Sequence, residues 1–219
     1  MFRSCLFRLL SVPLSMLVLL GVYEGVAVWR AQQRTPAILA SVADRPLKLA
    51  DLPENRRAAL IAVEDPGFYQ HRGVDFWTPG AGMTTIAQAL VRRLYFDEFA
   101  PGFASIEQSL IARFAFDPAT PKDQQLEIYL NHASFGTIDR RPIIGFPAAA
   151  RTYYGRDVAA LSDREYLSLV AMLITPGTLE PQEHAAANEQ RARRIEALLA
   201  GRCQPANLFD VQYDGCRER

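Results

Sequence analysis

A short polar stretch, residues 64–75, holds the side chains of this chain that are best suited to proton transfer. It reads Glu-Asp-Pro-Gly-Phe-Tyr-Gln-His-Arg-Gly-Val-Asp, so three carboxylates, a histidine and an arginine surround two aromatic rings. Carboxylates and histidines are the side chains that most often act as general acids and bases. This density of ionisable groups, directly after an apolar helical segment, indicates a candidate site for acid–base chemistry.

Glu64 is the strongest candidate base in this stretch. Residues 53–63 begin with a proline and are rich in alanine, leucine and isoleucine, a pattern that predicts a helix. Pro66 disfavours helical geometry at Asp65, so this helix should end near Glu64. A carboxylate at the negative end of a helix dipole holds its proton more strongly. Glu64 is therefore expected to accept a proton, and the alternative, a solvated helix end without chemistry, stays open on these residues alone.

A second set of polar side chains follows one face of a predicted helix that begins near Thr84. Thr84, Gln88 and Arg92 recur at four-residue spacing, and Ile86 and Leu90 form the start of an apolar stripe on another face. A hydroxyl, an amide and a guanidinium beside the free N–H groups of a helix start would suit a phosphate. A capped helix with a solvated polar face explains the same pattern equally well.

The composition predicts one sizeable domain without a bias of charge. The chain has 219 residues, with 24 basic and 24 acidic side chains, which gives no reason to expect nucleic acid as a partner. Cys203 and Cys216 lie near the C-terminus and are expected to form a disulfide in an oxidising compartment. The spacing of cysteines and histidines predicts no structural metal site.

The N-terminal segment predicts a membrane anchor. Residues 9–29 are nearly all apolar, with Glu24 near the far end and Trp29 at the boundary, and Arg3 and Arg8 precede them. We expect a single-pass helix in the cytoplasmic (inner) membrane, with the N-terminus inside and the domain on the outer, periplasmic face. A cleaved signal peptide is the alternative, and it would need a small-residue cleavage site that is not evident here.

The rest of the chain predicts helices and no strand. Amphipathic spacing or capping residues mark them near 106–114, from Thr120 to 131, from 145 to Gly155, from Ser162 to Pro176, and over 182–199. No long alternating pattern and no internal repeat is present. The fold class expected from these patterns is mainly α.

These motifs together resemble the family 51 glycosyltransferases, the peptidoglycan transglycosylase domains of penicillin-binding proteins and their monofunctional relatives. The family pattern Glu-Asp-x-x-Phe-x-x-His-x-Gly-x-Asp is matched at Glu64, Asp65, Phe68, His71, Gly73 and Asp75. Residues 82–90 are similar to Gly-x-Ser-Thr-Ile-Thr-Gln-Gln-Leu, and Arg92 stands where the family usually has lysine. Residues 122–131 resemble the Lys-x-x-Ile-Leu-Glu-x-Tyr-Leu-Asn helix, and residues 145–156 the segment that ends in Tyr-Phe-Gly-Lys. The resemblance extends from about residue 50 to Pro176.

The resemblance implies a lysozyme-like transglycosylase domain behind an N-terminal transmembrane helix. On this basis residues 1–30 would be the cytoplasmic tip and the anchor, 31–52 a linker, 53–180 the transglycosylase-like domain, and 181–219 a C-terminal helix and disulfide-closed tail.

The resemblance also implies the reaction and its residues. The sugar 4-hydroxyl of one lipid II molecule attacks the anomeric carbon of the growing glycan, and undecaprenyl diphosphate leaves with inversion. This chemistry needs a base for the hydroxyl and cations for the diphosphate. The catalytic positions carried over are Glu64 as the base, with Asp65, His71 and Gln108. The substrate-binding positions carried over are Thr84, Thr85, Gln88, Arg92, Lys122, Asn131 and Arg151.

Two of these expectations have alternatives. His71 is explained equally well as a hydrogen-bonded residue that fixes the loop. A divalent cation, Mg²⁺ or Mn²⁺, could assist at the diphosphate, although no carboxylate cluster requires one.

The chain departs from the family pattern in its third motif, Arg-Lys-x-x-Glu. On an ungapped alignment the two basic residues become Ala104 and Ser105, and the carboxylate becomes Gln108. A one-residue shift would bring in Glu107, which lies about 100° away on a helix. The loss of two charge-assisted contacts to a diphosphate predicts a rate lower by on the order of a thousandfold, unless Arg93 or another nearby arginine such as Arg113 compensates.

A second departure is the short connection between the first two motifs. The family usually has some fifteen or more residues there, which form part of a jaw that faces the membrane, and this chain has only residues 76–81. Phe76 and Trp77 could still enter the membrane interface.

Two other functions stay open on the sequence. An inactive relative could bind lipid II or another cell-wall synthesis protein as a scaffold, which the altered third motif favours and Glu64 disfavours. A lysozyme-like cleft with one acid could instead cleave glycan. The expected partners are lipid II and membrane lipid, with other cell-wall synthesis proteins as further candidates.

Overall fold

Helices build most of the computed structural model, which describes the backbone of residues 2–216 and the side chains of residues 14–216. The helices are α1 (Phe2–Ser41), α2 (Glu54–Glu64), α3 (Ile86–Tyr95), α4 (Phe103–Ile111), α5 (Lys122–His132), α6 (Gly145–Tyr154), α7 (Asp163–Met172) and α8 (Ala185–Leu199). A π turn at Ala112–Phe116 and a short turn at Asp117–Ala119 extend α4, and 3-10 turns lie at Leu49–Asp51, Val158–Ala160 and Asp214–Cys216. The expectation of a mainly α fold is confirmed.

The first helix is longer than the sequence predicted. Its portion Leu14–Ser41 is long and apolar enough to cross a membrane. The helix continues to Ser41, so the first part of the predicted linker, residues 31–41, is helical. Arg3 and Arg8, on which the predicted orientation depends, lie outside the described side chains.

Contacts with the domain explain why α1 continues. Thr35 is buried, and its hydroxyl lies 2.7 Å from the hydroxyl of Tyr95 on α3. The amide of Gln32 donates to the carbonyl of Phe114 in the π turn at 2.9 Å. Such packing stabilises a helix where local propensity gives no signal for it to continue.

The helix ends follow the predicted capping residues with small shifts. Ser162 and Glu165 form the predicted capping box of α7, and Gly155 closes α6 with a φ of 66°. Helix α3 begins at Ile86 with Thr85 as its N-cap, two residues after the predicted start. Helix α8 begins at Ala185 instead of residue 182.

A β-hairpin was missed by the sequence analysis. Strands β1 (Ser134–Ile138) and β2 (Arg141–Ile144) pair antiparallel and are the two strands in residues 2–216. The turn residues Asp139 and Arg140 both have positive φ, 49° and 62°, as a two-residue hairpin turn of type I′ requires. Neither residue is glycine, so the usual sequence signal for this turn is absent.

The core aligns the elements that carry the candidate site. Leu60 of α2, Ile86 and Leu90 of α3, and Leu126 and Leu130 of α5 are at most 1% exposed and belong to one apolar cluster. Helices α2, α3 and α5 are thereby held with their polar residues around a common cleft. Helices α7 and α8 pack against each other and against α2.

The C-terminal tail is closed by a disulfide between Cys203 and Cys216. Arg191 of α8, which the sequence analysis had not singled out, is buried between this tail and the rest of the domain.

Candidate active site

Glu64 is the last residue of α2 and faces a cavity of about 780 Å³. Its carboxylate accepts a hydrogen bond from the hydroxyl of Tyr129 on α5 at 2.5 Å. Burial raises the pKa of Glu64, as does the neighbouring Asp65, while the hydrogen bond from Tyr129 and the charge of Arg191 lower it; the net direction is upward. A carboxyl that holds its proton more strongly than usual, in a cleft open to a ligand, has the properties of a general base.

Tyr129 is the partner that keeps the Glu64 carboxylate in place. The pKa of Tyr129 lies well above its ordinary value, because burial and the negative charge of Glu64 both disfavour a phenolate. The hydroxyl therefore stays protonated and acts as a donor. Tyr129 lies in the motif at residues 122–131, and the motif alone indicates no role for its hydroxyl.

Asp65 and His71 do not line this cavity. Asp65 is fully buried, and its carboxylate lies 2.8 Å from Nε2 of His71 and accepts from the backbone N–H of Ile86 at 3.0 Å. These bonds join the loop after α2 to the first turn of α3. The structure therefore gives both residues a positioning role behind Glu64, which is the alternative that the sequence left open for His71.

Two further residues fix the loop that follows. The Asp75 carboxylate accepts from the backbone N–H of Trp77 at 2.8 Å and from the hydroxyl of Thr78 at 2.5 Å. Burial raises its pKa, but the hydrogen bonds from Thr78 and Trp77 outweigh it and the pKa is lowered. Gly73 has a φ of 85°, and a Cβ there would lie 2.5 Å from the carbonyl oxygen of Ala112, so this position requires glycine.

The polar track predicted on α3 divides into two parts. Thr85 and Gln88 are buried and form a capping box, in which the Gln88 N–H donates to the Thr85 hydroxyl at 3.1 Å and the Thr85 N–H donates to the Gln88 side-chain oxygen at 2.9 Å. Gln88 lies outside the cavity, and the Thr85 hydroxyl donates to the Gly73 carbonyl at 2.7 Å. Thr84, Thr85 and Arg92 line the cavity.

Four other predicted positions lie away from the cavity in protein contacts of their own. Gln108 donates to the backbone carbonyl of Gln88 at 2.7 Å, and Lys122 pairs with Asp117 at 2.7 Å. Asn131 exchanges hydrogen bonds with both backbone groups of Leu47, at 3.0 and 2.8 Å. Arg151 is exposed and pairs with Asp157 at 2.9 Å. Motif positions thus serve the fold here as well as the site.

The cationic groups of the cavity come from α3 and α8. Arg92 and Arg93 both line the cavity and are exposed, and neither forms an ion pair with any of the described side chains at positions 14–216. The guanidinium of Arg92 lies over the ring of Phe99, 5.7 Å from its centre. His132 also lines the cavity, and burial together with the nearby Arg93 lowers its pKa, which favours a neutral imidazole. Two unpaired guanidiniums therefore face the same space as Glu64.

We expect Asp65→Ala to destabilise the fold. The change removes the acceptor for the Ile86 N–H and the partner of His71, both within the buried region, at a cost of about 3 kcal/mol in the free energy of unfolding. Urea denaturation followed by circular dichroism would measure this. Asp44→Ala, at an exposed position, is the matched control and should stay within about 0.5 kcal/mol of the unmodified protein. Equal stability of the two variants would contradict the positioning role.

The raised pKa of Glu64 predicts a pH-dependent stability. Because the folded protein binds this proton more tightly than the unfolded chain, the contribution of Glu64 is greatest below the ordinary glutamate pKa and is lost as the pH rises through the folded value. Glu64→Gln, which cannot ionise, should therefore unfold at a higher temperature than the unmodified protein near neutral pH. The difference should shrink as the pH falls below the ordinary pKa of glutamate, and thermal denaturation at several pH values would measure it. A difference independent of pH would contradict the upward shift.

Comparison with known proteins identifies the family to which this chain belongs. The model of the Transglycosylase family matches residues 77–200, more than half of the chain. Penicillin-binding protein 1A of Neisseria cinerea is 30% identical over 178 residues, which are 75% of this chain and 21% of that protein. Penicillin-binding protein 1F of Bacillus subtilis is 28% identical over 167 residues, or 70% and 23%. This chain thus spans about a fifth of the length of these two relatives.

A relative of similar length also exists. A Cupriavidus necator protein named as a candidate transglycosylase is 25% identical over 229 residues, which cover 95% of both chains. The match to the family model begins after Glu64, and the similarity to this relative extends over nearly the whole chain. The chain belongs to the transglycosylase family, as a divergent member.

Proposed function

We propose that the protein is a peptidoglycan glycosyltransferase that polymerises lipid II with release of undecaprenyl diphosphate. The observation that carries this proposal is the Glu64 carboxylate, hydrogen-bonded to Tyr129 in the same cavity as two unpaired arginines. The membership of the family and the names of the penicillin-binding relatives support it.

In the proposed reaction Glu64 takes the proton of the attacking sugar hydroxyl. The hydroxyl oxygen then forms a bond to the anomeric carbon, and the bond from that carbon to the diphosphate oxygen breaks. Because burial gives Glu64 a higher proton affinity than an ordinary glutamate, proton transfer from the hydroxyl becomes more favourable as the new bond forms. Tyr129 keeps the carboxylate directed into the cavity.

Arg92 and Arg93 would stabilise the leaving diphosphate. A guanidinium presents several N–H groups in a fixed plane and stays charged at all relevant pH values. These two side chains supply charge that the third motif lacks at Ala104 and Ser105. The cationic part of the proposed diphosphate site therefore lies on α3.

The residues present do not fit a divalent metal at the diphosphate. Within residues 14–216, no three acidic, histidine or cysteine side chains come together in a way that could hold one. The cavity cations are arginines.

We propose that α1 anchors the domain to the cytoplasmic membrane with the cavity on the outer face. The support is the length and apolar composition of α1 and the arginines at positions 3 and 8. Lipid II, membrane lipid and other cell-wall synthesis proteins would be the partners in that position. A signal sequence near the N-terminus has a similar composition.

The purified protein incubated with fluorescently labelled lipid II in detergent tests the proposal. Formation of glycan polymer, resolved by gel electrophoresis, supports the glycosyltransferase. Binding of lipid II without polymer would instead support the scaffold, which the altered third motif favours. Release of muropeptides from intact sacculi would support glycan cleavage, which the unpaired arginines beside Glu64 disfavour.

A further inference from the structure

The C-terminal tail, residues 203–216, lies outside the segment matched to the transglycosylase family. It nevertheless forms part of the cavity wall, since Val211 lines the cavity. The backbone carbonyls of Asn207 and Leu208 accept hydrogen bonds from the N–H groups of Gly80 and Gly82, at 3.0 and 2.9 Å. The tail thus holds the loop before α3, which also lines the cavity.

The tail also contacts the last turn of α2. Tyr213 is fully buried, and its hydroxyl donates to the backbone carbonyl of Val63 at 3.0 Å. Val63 is the residue directly before Glu64. The disulfide between Cys203 and Cys216 closes the tail around Tyr213.

Arg191 of α8 is a buried side chain that the tail holds by hydrogen bonds. It is 3% exposed, its Nε donates to the Ala171 carbonyl at 3.0 Å, and its Nη1 donates to the backbone carbonyl of Val211 and to the side-chain oxygen of Gln212. The guanidinium lies 5.2 Å from the centre of the Tyr213 ring. None of these partners is a carboxylate, so the charge of Arg191 is not neutralised by an ion pair with another described side chain.

Arg191 lines the same cavity as Glu64. A buried cation and a partly buried carboxylate that line one cavity interact more strongly than they would in water. We infer that the disulfide-closed tail forms a functional part of the wall of this cavity and fixes the position of Arg191. Arg191 thereby acts as a positioning residue that keeps Glu64 ionised.

This inference deepens the proposed function and rests on it for its consequence in catalysis. An ionised Glu64 is the form that can accept a proton. The positive charge of Arg191 lowers the pKa of Glu64 and so opposes the effect of burial, while Asp65 raises it. The tyrosines that interact electrostatically with Glu64 are Tyr129, Tyr166 and Tyr213, all of which have raised pKa values and stay neutral. The cavity is also lined by the exposed Arg92, Arg93 and Asp97, and by His132, whose pKa is lowered. Arg191 is therefore the buried arginine of the cavity wall, and its charge favours the ionised form of the base.

Carbon-13 NMR of the glutamate carboxyl groups tests the inference without substrate. Glu64→Gln assigns the Glu64 signal, whose titration midpoint is then followed in Arg191→Gln and Arg191→Lys. We expect the midpoint to rise by about one pH unit or more in Arg191→Gln, a tenfold loss of ionised carboxylate below that midpoint. Arg191→Lys should restore much of the shift. The matched control is Arg193→Gln on the same helix, whose partner is the exposed Glu189, and it should leave the midpoint unchanged.

A second variant tests the tail if Arg191→Gln does not fold. In the double variant Cys203→Ser, Cys216→Ser, amide hydrogen exchange at Gly80 and Gly82 should become at least about tenfold faster because the tail opens more often. The Glu64 midpoint should rise in the same variant. Unchanged exchange and an unchanged midpoint would overturn the inference, as would a folded Arg191→Gln that titrates like the unmodified protein.

The lipid II assay separates this inference from the proposed function. If the unmodified protein forms polymer, the acid limb of its pH–rate profile should move upward in Arg191→Gln by the same amount as the NMR midpoint. If it forms no polymer but the midpoint moves, the proposed function fails and the positioning role of Arg191 stands. If polymer forms and neither the midpoint nor the acid limb moves, the inference alone fails.

Discussion

Glu64→Gln should reduce the polymerisation of lipid II by at least about a hundredfold, because general base catalysis contributes 10²–10⁴ to a rate. Glutamine has nearly the same shape and still accepts the hydrogen bond that Tyr129 donates to Glu64, but it cannot take up the proton of the sugar hydroxyl. Initial rates of polymer formation from labelled lipid II measure the loss. The affinity for lipid II should change far less than the rate.

The matched control for this prediction is Glu54→Gln, at the other end of the same helix. Glu54 is exposed and pairs only with Arg57 among the described side chains, so its loss should leave the rate within about a factor of two, as for most surface changes. If Glu64→Gln retained the activity of this control, another group would have to be the base, and the assignment of the cavity as the active site would be wrong.

The double change Arg92→Gln, Arg93→Gln should have the second largest effect. Hydrogen bonds to charged groups contribute about 1.5–3 kcal/mol each, so the loss of two guanidiniums should lower the rate of lipid II polymerisation by about a hundredfold or more. Because the charge on the diphosphate grows as it leaves, we expect kcat to fall more than KM rises. Arg156→Gln is the control, since Arg156 is exposed, pairs with Glu165 and does not line the cavity.

Salt provides an independent check on the same two arginines. Screening weakens exposed charge interactions, so the rate of the unmodified protein should fall with ionic strength more steeply than the rate of the double variant. Equal rates and equal salt dependence in both proteins would remove α3 as the diphosphate site. In that case the third-motif positions Ala104 and Ser105 would have no replacement that the structure identifies.

The sequence was informative about Glu64 because the determinants of its position are local. Pro66 ends α2 at this residue, and the helix brings the carboxylate to the edge of the cavity. The hydrogen bond to Tyr129, by contrast, joins residues 65 positions apart, and no local pattern predicts it. The position of Glu64 at the end of α2 was therefore predictable from the sequence, and the group that fixes its carboxylate was not.

The polar residues on α3 that were predicted to bind phosphate show a different limit of prediction from sequence. A hydroxyl at an N-cap and an amide three residues later satisfy each other in a capping box, as Thr85 and Gln88 do. The same two residue types can also bind an anion, so the motif alone does not separate the two roles. The two roles are distinguished by whether the side chains are buried. The burial of Gln88 depends on the packing of α4 on α3, where the Gln88 amide donates a hydrogen bond to the Ser109 hydroxyl.

Arg191 could not have been selected from its neighbours in the sequence. It lies in a helix with Arg193 and Arg194, and an arginine on a helix is ordinarily exposed to solvent. Arg191 is buried because the tail returns over it, where the Val211 carbonyl accepts its hydrogen bond, and because the Ala171 carbonyl of α7 accepts another. Such a role arises from contacts about 20 residues apart in the chain, which spacing rules do not describe.

The continuity of α1 restricts how the domain can move relative to a bilayer. From Trp29 to Ser41 the helix rises about 18 Å at 1.5 Å per residue, and Ala31 and Thr35 on one face of this part are buried against the domain. A domain joined in this way cannot swing as it would on a flexible tether. If residues 9–29 lie in lipid, the cavity keeps one height and one direction above the membrane, so that a growing polymer would leave along a fixed path while its lipid end stays in the bilayer.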